Sequence, residues 1–481
     1  MDKRTEAMGN TPIGLLLVKM SLPGMVSMVA MSLYNIIDTM WVSGLPNGTE
    51  AIAALTVVMP LQMIAGALGM GAGAGVTSLV SRRFGERRLD EVNQIAGNAV
   101  VLPVLLGVSV AAICLAFPEA MALLFGGSRE LVPTAVSYLR VVAFGFPFQI
   151  FSTTADGLYR GAGNATTPMY IRGTAIITNV VLDPFLIYGW GPFPMLGLAG
   201  AALATVIAQV LGCSISLVYL LSSRSPYRIG ARHLRLRLGI LRDIADVGLP
   251  SFINGCVRST VGSALNWVLA GFGPAAIAAQ GLSMRVVMLM LSFLGPGVSQ
   301  ALVPIVGYNF GARDYRRMWR AYRTSAVWLS GVALVLGALV FAFAPQILAP
   351  LAREPALLRL SVWALRLRIS TIFLVEPQMM AVFTFQGMGM GFRALVLTMS
   401  RNVLFVLPLM LPLARAFGAQ GAFATQGVAD VLGLLVAGPM LWHAYRRYPP
   451  SASDPQPLEQ EPPETVVEVS EASAEAASTA D

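Results

Sequence analysis

Two carboxylates fall where water is scarce. Asp38 lies in the apolar run 23–42 and Asp183 in a second, 169–188. An ionised acid at the centre of a membrane helix costs roughly 2.5–3.5 kcal/mol, so a cation, a proton or a set of hydrogen-bond partners must offset it. Tyr34 precedes Asp38 by four residues and Asn179 precedes Asp183 by four, which sets each polar group on the helix face of its acid. Thr205 adds a hydroxyl from a third apolar run. Two acids, an amide and a hydroxyl can hold Na+ through oxygen ligands. They can equally share a proton, because two close carboxylates do not both ionise cheaply. Either chemistry would couple an ion to the movement of something else. The bland alternatives are a buried structural hydrogen bond for the acids, a bond from Thr205 to its own backbone, and a bond from Asn179 to a neighbouring helix.

The elements that must position these residues are membrane helices. Of 481 residues 56% are hydrophobic and 12% charged, against about a quarter charged in soluble proteins. Twelve windows of about 20 apolar residues are each long enough to cross a bilayer. With no water at that depth to satisfy the backbone, and no alternating ten-residue segments, they are expected to be helices. The first apolar stretch is too long for a cleavable signal peptide and lacks a small-residue processing site. Arginines crowd alternate loops, at 82, 83, 87 and 88, from 224 to 242 and from 313 to 323, and the loops after the first, fifth and seventh apolar runs lack Lys and Arg. Such loops stay cytoplasmic, so both termini are expected inside. The net charge of +8 includes an acidic tail, and the basic remainder suits anionic lipid headgroups. Splitting that charge among loops argues against nucleic acid. Three scattered cysteines and two histidines give no disulfide set, zinc site or intramembrane histidine catalysis. Gly69, Gly71, Gly73 and Gly75 read as a helix-packing stripe, since no strand precedes them and no phosphate-loop Lys follows.

An internal repeat at a shift of about 226 residues orders the chain. It pairs Ala51 to Ala54 with Ala276 to Ala279, Phe84-Gly85 with Phe310-Gly311, and Leu22-Pro23 with Leu249-Pro250. Six spans per half give two parallel repeats about an axis along the membrane normal. The expected organisation is an N-terminus 1–12, a six-helix lobe 13–222, a basic linker 223–243, a second lobe 244–447, and an acidic, disordered tail 448–481. The carboxylates are not duplicated, which places ion coupling in the first lobe. At 1.5 Å per residue Asp183 sits roughly 22 Å above the cytoplasmic start of its helix, in the outer half with Asp38 and Thr205. Pro23 and Pro184 are hinge candidates, fixed kinks being the alternative. In the second lobe Glu376 and Asp430 are secondary candidates with Arg258; they could form internal ion pairs with Arg258, Arg366 or Arg368.

The runs LPGMVSMVAMSLYNIIDTMWVSG, GMGAGAGVTSLVSRRFG, LYRGAGNATTPM, NVVLDPFLIYG, GLAGAALATVIAQ and QALVPIVGYNFGARDYRRM resemble a bacterial multidrug and toxic compound extrusion (MATE) transporter, over residues 14–447. The resemblance implies a V-shaped pair of six-helix lobes in the bacterial inner membrane that exports mostly cationic, amphipathic compounds in exchange for Na+ or H+. It implies an N-lobe site similar to Asp38, Asn179, Asp183 and Thr205, with Tyr34 beside it and a first helix that bends at the position of Pro23. Some members carry further acids in the second lobe, where Glu376 and Asp430 are the matching candidates. The expected partners are drug-like small molecules and membrane lipids, with a monomer the expected form and no cofactor beyond the coupling ion. Two other classes remain open. A flippase of lipid-linked precursors would favour a basic cavity, for which the spans offer only Arg172, Arg258, Arg285 and Arg401. A membrane-embedded enzyme would need a nucleophile with its base or a phosphate loop, and neither is present.

Overall fold

The structure, a computed structural model, describes residues 3–126, 128–294, 296–352 and 354–454; the side chains at 35, 49, 258, 259, 292–294 and 296 lie outside that description. Arg258, a second-lobe candidate, is among these, and so is most of the expected acidic tail, from 455 on. Every regular element among the described residues is helical. Span 1 is Ile13–Ser43, span 2 Gly48–Gly85, span 3 Leu89–Ala116, span 4 the pair Val132–Ala143 and Phe146–Gly161, span 5 Thr166–Tyr188 and span 6 Leu198–Leu221. Span 7 is Leu238–Ala270, span 8 the pair Pro274–Leu294 and Pro296–Gly311, span 9 Tyr315–Ala342, and span 10 the pair Pro355–Ile369 and Ile372–Gly387. Spans 11 and 12, 391–417 and 419–447, form one continuous run except at Gly418, whose φ of 64° breaks the helix.

Length and apolarity alone pick out eight crossing helices among the described residues, or nine when the halves of span 4, bent by 50°, count as one. The remaining spans escape that test because they are broken, merged with a neighbour or, in span 7, carry polar residues such as Asn254, Arg258 and Asn266. Together they make the expected twelve. The breaks repeat too. Span 4 is interrupted between Ala143 and Phe146 and span 10 between Ile369 and Ile372, and short helices Pro118–Leu124 and Ala344–Leu348 follow spans 3 and 9. Each pair is related by the repeat shift, so the two lobes share their irregularities as well as their helices.

The lobes meet at the arginine-rich ends. A Cβ at Gly85 would overlap the carbonyl oxygen of Tyr308, and one at Gly311 that of Arg82. Tyr308 and Arg82 are themselves repeat mates, so the two Phe-Gly pairs mark a reciprocal crossing of spans 2 and 8. Glycine is required at both positions because backbone touches backbone. Beside the crossing, the Ser78 hydroxyl of span 2 donates to the Gln386 carbonyl of span 10.

Packing does not follow the boundary between the halves. The basic-side part of span 1, with Ile13, Leu16, Leu17 and Met20, is buried against Leu302, Ile305 and Phe385 of the second lobe. Past Pro23 the helix returns to its own lobe, where Val42 and Leu45 pack with Ala54 and Leu198. Span 7 does the reverse: Ile244 joins Leu79, Phe84 and Leu158 of the first lobe, and past Pro250 Val261 and Leu265 pack with Ala414 and Phe423. Each lobe therefore holds the lower end of the other's first helix.

Two boundaries differ from expectation. The basic linker ends at Arg237, since span 7 begins at Leu238, and what precedes it is stapled to the first lobe. The Asn98 side chain accepts from the Arg237 N–H at 2.9 Å and donates to the Arg235 carbonyl at 3.2 Å. Gln94 donates to the carbonyls of His233 and Arg235. Buried Tyr227 donates its hydroxyl to the Leu158 carbonyl at 2.6 Å, and burial pushes its phenol well above the ordinary value, keeping it a donor. The tail likewise starts later than 448: the Tyr448 carbonyl accepts from Trp319 Nε1 at 2.9 Å, its ring packs on Phe310 and Tyr315, and the Asp454 N–H donates to the Arg313 carbonyl. Aromatic burial holds these first tail residues in place. Asn98→Ala should orphan the Arg237 N–H, the Arg235 carbonyl keeping its bond from Gln94, and lower stability by about 1–3 kcal/mol, read as a depressed thermal-unfolding midpoint of the purified protein.

Candidate functional site

The first-lobe candidates converge from spans 1, 5 and 6. Asp183 is wholly buried and Asn179 is 3% exposed, one turn apart on span 5. With its amide oriented to satisfy both neighbours, Asn179 donates to Asp183 Oδ2 at 3.2 Å and accepts from the Thr205 backbone N–H at 3.1 Å. Thr205, on span 6, also bonds the Ala201 carbonyl at 3.0 Å, so the backbone bond foreseen as its bland role coexists with its place in the site. Tyr34 on span 1 reaches Thr205 through a side-chain hydrogen bond. Asp38, one turn further along span 1 and partly buried, lies within Coulombic reach of Asp183, Tyr34 and Tyr138.

One atom in this cluster stands out. Asp183 Oδ1 is buried and has no hydrogen-bond partner, although its other oxygen is held by Asn179. A carboxylate oxygen left bare at that depth is costly unless it carries a proton or faces a cation. Pro184 adds to the polarity, because it lacks the N–H that would have bonded the Val180 carbonyl one residue from Asn179. Spans 5 and 1 stay helical through Pro184 and Pro23. Span 1 is anchored above the site by the Tyr188 hydroxyl, which donates to the Trp41 carbonyl, with the two rings edge to face at 6.0 Å.

The second lobe places its acid elsewhere. Counted from Gly197 and Gly418, the positive-φ glycines that begin spans 6 and 12, Asp430 matches Gln209, one turn beyond Thr205, and Arg401 lies on span 11. Arg401 grips Asp430 Oδ1 through Nε at 2.7 Å and Nη2 at 2.6 Å. Thr371 donates to Oδ2 at 3.0 Å and Gln378 to the Asp430 backbone carbonyl at 2.6 Å. Glu376, 3% exposed, lies within Coulombic reach of Arg401. The ion pair expected for Asp430 thus exists, but its partner is Arg401; Arg366 instead stacks over Phe341 at 5.0 Å and bonds the Phe341 carbonyl. Arg401 sits at the start of a π-helical stretch, Ser400–Val406, whose wider turn alters the angular spacing of side chains relative to an α-helix.

A further intramembrane acid was missed by sequence reasoning. Asp156 on span 4, with a side chain 4% exposed, accepts from Arg172 Nε on span 5 at 2.7 Å and lies 3.7 Å from Arg160. The signal was available, since Asp156 and Arg160 are four residues apart on one helix face.

Twelve helices in two repeat-related lobes, with a cluster of oxygen-bearing side chains around two carboxylates inside one of them, define a membrane protein of the transporter kind. A family model described as MatE matches the chain twice, over residues 23–185 and 250–411, and the chain belongs to that family. It is 27% identical over 312 residues to a protein of Shewanella oneidensis named an FAD transporter, covering 65% of this chain and 68% of that one. To the multidrug export protein MepA of Staphylococcus aureus it is 22% identical, covering 91% of this chain and 95% of MepA. A crystal structure of a MATE protein in the bent conformation superposes with a TM-score of 0.87 at 26% identity, over 94% of this chain and all of that one.

The Arg401 and Asp430 pair makes a stability prediction. Arg401→Met should cost about 3–5 kcal/mol by stranding a buried carboxylate, whereas Arg401→Met with Asp430→Leu should recover most of the loss. Thermal-unfolding midpoints of the two purified variants check this.

Proposed function

We propose that this protein is a secondary active exporter of amphipathic, mostly cationic, drug-like compounds, driven by antiport with Na+ or H+ through alternating access. The observation that carries this reading is the bare, buried Asp183 Oδ1, with Asp38 of another helix within Coulombic reach of the same carboxylate. The Asp38 and Asp183 carboxylates, the Asn179 amide oxygen and the Thr205 hydroxyl are all hard oxygen donors, with the Tyr34 hydroxyl beside them; they suit Na+ or a shared proton. Taking up a cation would remove the repulsion between the two acids and draw span 1 toward spans 5 and 6. Losing it would loosen span 1 above Pro23, where the helix changes lobes. A cationic substrate and the coupling ion would then compete for the same negative field.

The basic loops favour a cytoplasmic side for both termini and for the lobe contacts in a bacterial cell, with the carboxylate cluster toward the opposite side. The membrane arginines favour a cation exporter over a flippase for anionic lipid precursors, since Arg172 and Arg401 are neutralised by Asp156 and Asp430. A second reading, export of FAD, is favoured by the Shewanella oneidensis relative that carries that name.

Inverted vesicles separate these readings. Under an imposed Na+ or pH gradient, ethidium uptake should follow one of the two gradients, and Asp38→Asn should abolish that dependence while the protein stays folded in the membrane. Gradient-driven ethidium uptake unchanged by Asp38→Asn would sink the coupling site, and uptake of FAD without ethidium would favour the second reading.

A further inference from the structure

The helix Lys3–Asn10, before span 1, lies across the seam between the lobes on the basic side. It is fastened to each lobe by different groups. The Thr5 hydroxyl, itself buried, donates to the carbonyl of Ala162 at the end of span 4, 2.9 Å away. The Met8 side chain is fully buried among Val76, Leu79, Val80 and Phe84 of the first lobe. The Met8 carbonyl faces the other way: it accepts from Asn309 Nδ2 of span 8 at 3.1 Å and from Arg317 Nε of span 9 at 3.2 Å. Arg317 Nη2 also donates to the carbonyl of Thr11. Close packing completes the seat. A Cβ at Gly9 would lie 3.0 Å from the Tyr308 ring, and Gly163, at φ 79°, has the Arg4 carbonyl against it.

From this geometry we infer that residues 3–11 are a strap that holds the basic ends of the lobes together and must release one of them before that side can open. The inference rests on the alternating-access reading. Its parts are unequal. The second lobe holds the strap by two side chains that donate to main-chain carbonyls, one of them charged, and the chain then continues into the part of span 1 buried in that same lobe. On the first-lobe side its contacts include the Thr5 hydroxyl and the Met8 side chain. Because its chain runs on into a segment buried in the second lobe, the strap stays there and parts from the first at Thr5 and Met8. The linker before span 7, at the equivalent place in the repeat, bonds to spans 3 and 4 of the first lobe, so the strap has no matching partner there.

The test reads the separation of the basic ends directly. Spin labels on cysteines placed at Leu89 and Arg320, exposed positions on opposite lobes, are introduced into the full-length chain with Cys114, Cys213 and Cys256 replaced by Ser. Electron–electron distances are recorded in lipid nanodiscs with and without Na+ and at acid and neutral pH. The wild type should show a dominant short distance and, under at least one condition, a minor longer one. Thr5→Val and Met8→Ala, which free the strap from the first lobe, should raise the longer population on the order of tenfold. Arg317→Gln, which frees it from the second, should shift the distribution in the same direction; agreement between opposite anchors distinguishes a latch from damage to one lobe. A longer population that is present in the wild type and unchanged in all three variants overturns the strap alone. A single distance under every condition in the wild type overturns alternating access and the strap with it.

Discussion

The architecture hangs on the crossing of spans 2 and 8, where backbone meets backbone at Gly85 and Gly311. In a membrane, helix association gains little from burying apolar surface, because lipid tails are as apolar as leucine; close contact and internal hydrogen bonds must supply it. Small residues at this crossing let the two lobes approach on one side only. The carboxylate cluster lies toward the opposite end of the helices. The same requirement explains Gly71 and Gly248, which abut through their carbonyls between spans 2 and 7, and Gly297 against the Ser21 carbonyl between spans 8 and 1.

Charge inside the membrane is handled in two contrasting ways. Asp156 and Asp430 are each matched by arginine at bonding distance and are fully engaged. Such pairs offset a desolvation cost without leaving anything to react. Asp183 has an amide partner on one oxygen and none on the other, with a second acid nearby. An unmatched acid responds to the arrival of a cation, whereas a matched one does not. The contrast lies in the partner each acid is given, and it runs within the first lobe, which holds both Asp156 and Asp183.

Much of the fold was legible because hydrocarbon leaves the chain so few choices. Apolar runs of spanning length must be helices, loop arginines mark one face, and the shift of 226 residues foretells paired breaks and paired short helices. The four-residue spacing of Asn179 and Asp183 foretold their shared face. The partner of Asp430 was not legible, since Arg401 lies on another span and its direction depends on a π-helical turn that no residue pattern announces. The Asp156 and Arg160 spacing was readable and overlooked.

The amino-acid order by itself determined the helices, their repeat, their basic face and the residue types that could bind a cation, because these follow from local periodicity and the cost of polar groups in lipid. Only the tertiary structure decided that spans 1 and 7 exchange lobes at Pro23 and Pro250, that Asp183 is left half unpartnered, and that Thr5 and Arg317 fasten one short helix across two lobes. Those outcomes depend on contacts between segments up to 309 residues apart, which are set by packing in space and leave no periodic trace along the chain.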